Sequence, residues 1–231
     1  MDFISGKLNQ AKNTVTGAVS GASAELSLER IAQALTDALE AASERTVNVL
    51  GTKGGFLDDI SRHIPLPENE VGTVMTKVKS MPGLGVKVEE LEVTMNRAAE
   101  ESMKAALSIL VGAIKALSFD DAKGILDGGD NAATAYFERT TRAPLTDAFR
   151  PIVTQRINDL GVGAIYSAIM EAYEKLPLCN APKGFDLVEY VLKRTVAAIF
   201  SVLGGEEDKI RHTPALQSTA AMKEAFSKFT K

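Results

Sequence analysis

Four arginines lie close together in the middle of the chain, namely Arg139, Arg142, Arg150 and Arg156. A guanidinium group can hold a carboxylate or a phosphate through two parallel hydrogen bonds, so such a cluster can bind an anion. The same arginines can instead form ion pairs inside the fold, because the neighbouring sequence also contains Asp120, Asp121, Glu138 and Asp147. We favour internal pairing, and we keep Arg139, Arg142 and Asp130 as candidate ligand-binding residues.

A second polar pair, Asn96 and Arg97, interrupts an otherwise apolar helical pattern. A buried polar side chain needs a hydrogen-bond partner, because an unpaired one costs free energy. Asn96 and Arg97 are therefore candidate polar contacts between helices, and we count them among the candidate ligand-binding residues. Arg97 can also pair with Glu100, three residues further along the same helix.

The residue types and their spacing give little support for a metal site or a catalytic site. Residues 127–138 have part of the spacing of a calcium-binding loop, but Ala132 stands where that loop requires glycine. Cys179 is the single cysteine, and the two histidines, His63 and His212, lack the spacing of zinc ligands. We predict no catalytic residue, no metal site and no cofactor.

The composition limits the possible partners and compartments. The 231 residues include 26 basic and 30 acidic side chains, which leaves a net charge of -4. Nucleic-acid binding requires a basic surplus on at least one face, so we expect no nucleic-acid partner. No apolar run approaches the roughly 20 residues of a membrane-spanning helix, and the N-terminus lacks the apolar core of a signal peptide. An intracellular protein, soluble or peripherally bound to a membrane, is favoured.

The apolar residues recur at helical spacing nearly throughout, and no stretch alternates as a β-strand does. We predict an all-α bundle of about ten helices with a long central helix over residues 86–117. Asp130 is expected to cap a helix after the glycine pair at 128–129, and Pro144 is expected to begin another. A late helix is expected to start after the cap Asp186 and to end at Gly204.

Residues 1–24 form a separate unit in this interpretation, followed by a single helical domain over residues 25–231. At 100° per residue, one side of the first segment is apolar, and its largest side chains are Phe3, Ile4, Leu8, Val15 and Val19. Such a segment either packs on its own domain or lies on a membrane or partner surface. We therefore take these five residues as candidate membrane or partner contacts.

Several short motifs follow one another in a fixed order along the chain, including FL at 56–57, IPLP at 64–67, MNRAAE at 95–100, GGD at 128–130, AAT at 132–134, YF at 136–137 and EE at 206–207. Together they resemble a bacterial family, the domain of unknown function 4197. The resemblance covers about residues 27–229. It implies a helical fold and no established activity, cofactor or catalytic residue. It also implies exported relatives, often lipoproteins, and this chain differs from them in beginning with the amphipathic segment.

Two main hypotheses follow for function. The first is a non-enzymatic interaction or structural protein that docks to a membrane surface or a partner through its N-terminal segment. The second is a binding module that holds a small apolar or acidic amphipathic ligand between helices, with arginines near Arg139 contacting its acidic group. A weaker alternative is an enzyme that uses Asp120, Asp121, Asp130 and Arg139.

Overall fold

The computed structural model describes residues 26–177 and 179–229. Within these residues the chain forms nine α-helices and two short 3-10 helices, without any strand, which confirms the all-α prediction. The α-helices are α1 (Leu28–Leu50), α2 (Glu70–Lys79), α3 (Gly85–Ser102), α4 (Ala106–Lys115), α5 (Ala122–Leu126), α6 (Ala132–Asp159), α7 (Val162–Glu174), α8 (Leu187–His212) and α9 (Ala220–Phe226). The predicted N-terminal helix, with Phe3, Ile4, Leu8, Val15 and Val19, lies outside the described residues.

Helix α8 occupies the centre of the bundle. It packs chiefly against α6 and α1, while α1 also contacts α4, α5 and α9, and α3 contacts α6 and α7. The apolar positions of α8 are buried on several sides, including Val191, Val196, Leu203 and Ile210. A helix buried on more than one side needs apolar residues around most of its circumference, which is the pattern of this segment.

Side-chain caps begin several helices as the sequence predicts. The Ser27 hydroxyl accepts a hydrogen bond from the Arg30 N–H at 3.2 Å, and the Asp186 carboxylate accepts one from the Glu189 N–H at 2.8 Å. Each cap satisfies an N–H group that has no partner inside the helix. The starts of α1 and α8 were therefore predictable from local sequence.

The prediction of one continuous helix over residues 86–117 is wrong. A 3-10 turn at Met103–Ala105 separates α3 from α4. At the break, the Ser102 hydroxyl donates to the Ala99 carbonyl at 2.7 Å, and Met103 packs tightly against Gly51 at the end of α1. Apolar periodicity continues through the turn, so the sequence pattern did not reveal it.

Two predicted helix boundaries are also wrong, because α6 continues through Pro144 and Pro151, and α8 continues through Gly204 and Gly205. Both prolines are exposed, so water can reach the carbonyl groups that lose their helical N–H partner. Gly204 is buried, and a Cβ atom there would lie 3.3 Å from the Asn131 side chain. This glycine therefore allows α8 to pack closely against the start of α6.

Candidate functional site

An apolar groove of about 490 Å³ lies between α4 and α6. Side chains at intervals of four residues face it, and they include Ile109 and Ala113 on α4, Leu117 just after the end of α4, and Tyr136, Thr140, Pro144 and Ala148 on α6. This spacing places residues on one side of a helix. Most of these side chains are small, so the two helices leave space between them that neither fills.

The Tyr136 end of the groove is rigidly built. The Tyr136 hydroxyl donates to the Ser118 carbonyl at 2.5 Å, and the ring lies 5.5 Å from the ring of Phe119, centroid to centroid. Ser118 itself lines the groove beside Leu117. The segment after α4 and the first turns of α6 therefore close this end together.

Arg139 lies at this same end, with its guanidinium 5.4 Å from the centre of the Tyr136 ring. Its side chain is exposed, and no carboxylate of the described residues lies within 4.0 Å of its guanidinium. The other three arginines of α6 are paired, Arg142 with Glu138, Arg150 with Glu189 at 2.6 Å, and Arg156 with Asp159 at 2.9 Å. Internal pairing therefore accounts for three of the four arginines, and Arg139 differs from them.

The remaining predicted ligand-binding residues lie away from the groove. Arg142 stacks over the ring of Phe200 on the side of α6 that faces α8. Asn96 and Arg97 lie on α3, where Asn96 contacts the loop between α1 and α2 and Arg97 pairs with Glu100. Asp130 lies before α6, where the predicted cap position is taken by Asn131, whose side chain makes no capping hydrogen bond. The structure thus does not gather Arg139, Arg142, Asp130, Asn96 and Arg97 into one site.

Asn96 is fully buried and holds an extended piece of the loop between α1 and α2. Its amide oxygen accepts a hydrogen bond from the Ile64 N–H at 2.8 Å, and its amide nitrogen donates to the Ile64 carbonyl at 2.9 Å. One turn further along α3, Glu100 Oε1 accepts hydrogen bonds from the N–H groups of Gly54, Phe56 and Leu57 at 3.1 to 3.2 Å. Arg97 pairs with the second oxygen of Glu100, as its spacing predicts.

Glu207 and Arg211 form an ion pair that sequence reasoning missed. Glu207 Oε1 accepts hydrogen bonds from Arg211 Nε at 2.8 Å and from the Ala133 N–H at 3.1 Å, and Oε2 accepts one from the Thr134 N–H at 2.7 Å. Arg211 Nη1 donates to the Leu126 carbonyl at 2.9 Å. Two side chains of α8 therefore cap the end of α5 and the start of α6, on both sides of the glycine pair at 128–129.

Asp130, Asp208 and His212 form a small exposed cluster near the same joint. One ligand atom from each residue lies within 4.8 Å of the other two, so the group has residue types that could hold a metal ion. His212 Nδ1 lies 2.9 Å from the Asp208 carbonyl oxygen, and Nε2 lies 3.5 Å from Asp130 Oδ1. The hydrogen bond to the Asp208 backbone raises the pKa of His212, and both carboxylates add to the effect. These mutual contacts explain the arrangement without a metal ion.

The acidic residues named for an enzymatic alternative have structural partners. Asp121 accepts a hydrogen bond from the Gly124 N–H at 3.0 Å and caps α5, and Asp120 accepts one from the Ser118 hydroxyl at 2.6 Å. Asp130 lies near His212, whereas Arg139 lies over Tyr136. Through these hydrogen bonds, Asp120 and Asp121 stabilise the segment between α4 and α5.

Across the part of the chain that the structure describes, no helix combines the length and apolar character required to cross a bilayer. Comparison with curated proteins gave no match, and comparison with solved structures gave none either. A family whose description is "protein of unknown function (DUF4197)" matches residues 25–227, which is most of the chain and includes every helix described above. The chain therefore belongs to this family.

Proposed function

We propose that this protein is a non-enzymatic binding module whose α4–α6 groove holds an amphipathic molecule with a carboxylate head. The supporting observation is the position of Arg139, which lies at the end of an apolar groove while the other arginines of the same helix are paired. Ligand sites are commonly apolar clefts of about 300–1,000 Å³ with a few polar groups that fix orientation. The groove has this character.

The charges along α6 favour one orientation of the ligand. Arg139 provides a cation at the Tyr136 end, and Asp147 adds a negative charge beside Ala148 at the other end. These two charged residues are separated by about 12 Å at about 1.5 Å per residue. A carboxylate is therefore attracted to Arg139 and repelled from the far end, with its alkyl chain along Thr140 and Pro144.

Dodecanoate is a suitable probe, with dodecanol as the uncharged comparison, and calorimetry on the full chain measures both affinities. We expect Arg139→Gln to weaken dodecanoate binding about tenfold, as loss of a charge-assisted hydrogen bond predicts, and to leave dodecanol unchanged. Ala148→Phe places a ring in the groove and should weaken both ligands.

Arg156→Gln is the matched control, because it removes a charge from the same helix at a paired, distant position. The proposal is wrong if neither ligand binds, or if Arg139→Gln and Arg156→Gln affect dodecanoate equally. Circular dichroism checks that each variant keeps its helical content.

A second candidate function is docking to a membrane surface or a partner through the N-terminal segment. It is supported by the apolar sector formed by Phe3, Ile4, Leu8, Val15 and Val19 in the sequence. The double variant Leu8→Asp, Val15→Asp should no longer float with phospholipid vesicles, whereas the unmodified full chain should. The control variant carries Asn9→Asp and Thr16→Asp, which add the same charge at polar positions and should leave flotation unchanged. Equal flotation of the two variants would contradict docking through this segment.

A further inference from the structure

Ile60 is the most exposed large apolar side chain of the described residues, with 99% of its surface accessible. It lies midway between two fully buried side chains, Phe56 and Ile64, in the loop that connects α1 and α2. Single exposed apolar residues are common on protein surfaces. Ile60 differs in that the loop around it is fixed by many specific contacts.

Hydrogen bonds hold the loop on both sides of Ile60. Before it, Glu100 accepts hydrogen bonds from three backbone N–H groups within residues 54–57, and the Asp58 N–H donates to the Gly54 carbonyl at 3.0 Å. Across Ile60, the Asp59 carboxylate accepts hydrogen bonds from the N–H and hydroxyl groups of Ser61. A side chain presented by such a pre-organised loop loses little conformational entropy when it is buried in an interface.

A hollow of about 630 Å³ is lined by Asp58 and Asp59, the two residues that precede Ile60. Its lining combines Val49 and the glycines at 54–55 with polar residues and with charged side chains of both signs, including Lys53 and Asp58. Lys53 and Asp58 are exposed, and within the described part of the chain neither has an oppositely charged side chain within 4.0 Å. The same face therefore carries a projecting side chain, a hollow next to it, and one unpaired charge of each sign.

We propose that this face is the interface of a symmetric homodimer, in which each Ile60 enters the hollow of the other copy. A two-fold axis brings the same patch of both copies together, so it requires a surface that is complementary to itself. The projection and the hollow satisfy this requirement in shape. Lys53 of each copy then meets Asp58 of the second copy, which satisfies it in charge.

Sedimentation equilibrium of the full chain over a wide concentration range tests the proposal. We expect a monomer–dimer equilibrium, and we expect Ile60→Ser to raise its dissociation constant about a hundredfold, because both copies lose an apolar contact. Val86→Ser is the matched control, since Val86 is an exposed apolar residue on α3 outside this face. It should leave the equilibrium unchanged.

Charge reversal provides an independent measurement. Lys53→Glu and Asp58→Lys should each weaken the dimer, and the double variant should restore it, because the two reversed charges again meet with opposite sign. A full chain that stays monomeric at every concentration would overturn the proposal. So would a dimer that survives Ile60→Ser, since its interface would then lie elsewhere, for example in the N-terminal segment.

Discussion

Glu207 and Arg211 are charged side chains whose exposed fractions are 0% and 1%. Burial of a charge is tolerated when every polar atom finds a partner, and here the partners are backbone groups at two helix ends. Arg211 also stacks on the rings of Phe226 and Phe229 at 5.3 and 5.7 Å. The pair therefore joins α5, α6, α8 and the C-terminal residues at one point.

We expect Glu207→Ala to lower the free energy of unfolding by about 3–5 kcal/mol, because it leaves a buried guanidinium and two buried N–H groups without their acceptor. Combining it with Arg211→Met should cost less than the two single changes added together, since the pair is then removed as a unit. Urea unfolding followed by circular dichroism measures both effects.

The exposed pair Glu138 and Arg142 has the same spacing on a helix and serves as the control. Glu138→Ala should cost about 0.5 kcal/mol, as solvent-exposed pairs do. Similar losses for Glu207→Ala and Glu138→Ala would show that the buried pair has no special role in the stability of the joint.

At the scale of helices, the sequence predicts those helix boundaries that depend on residues close together in the chain. The starts of α1 and α8 were found from Ser27 and Asp186, because a capping side chain acts within three residues of its own position. The start of α6 was assigned to Asp130, but its cap is Glu207, 73 residues away from Thr134. No local pattern reveals a cap supplied by another helix.

The sequence likewise predicted individual residues of the candidate site but not the contacts between helices that form it. The sequence singled out Arg139 as a residue that could hold an anion, and the structure separates it from the paired arginines. The groove beside it was not predicted, because it depends on which faces of α4 and α6 meet. Asn96 was expected to make buried polar contacts, and it does, although its partner Ile64 could not be inferred from spacing.

At the scale of the whole molecule, the titration of histidines limits stability at high pH, and the titration of a carboxyl group limits it at low pH. Partial burial lowers the pKa of His63, but hydrogen bonds to Glu92 and to the Leu57 carbonyl outweigh it, and its pKa is raised above 6.5, as is that of His212. Burial acts to raise the pKa of Glu206, but hydrogen bonds from Lys209 and Arg45 outweigh it, and its pKa falls below 4.5.

A raised histidine pKa contributes stability that is fully present below the unfolded pKa and is lost as pH rises through the folded one. A lowered carboxyl pKa contributes stability that is present above the unfolded pKa and is lost as pH falls through the folded one. We therefore expect the urea midpoint to be highest at about pH 5–6 and to fall on both sides.

Replacing both histidines by glutamine should flatten the decline above pH 6.5 and leave the acid side unchanged. The prediction fails if the midpoint of the unmodified chain rises between pH 6.5 and 8, since stabilising protonated histidines can only lose stability over that range. The measurement is a series of urea titrations at constant ionic strength.

The cap that α8 provides to α6 has a consequence for biosynthesis. The ribosome makes the chain from its N-terminus, so α6 is complete long before Glu207 is added, 73 residues after Thr134. During that interval the N–H groups of Ala133 and Thr134 have water as their only substitute for the Glu207 carboxylate. The joint at residues 127–131 therefore reaches its final form only after α8 has been synthesised, and a nascent chain released before α8 lacks the groups that fix it.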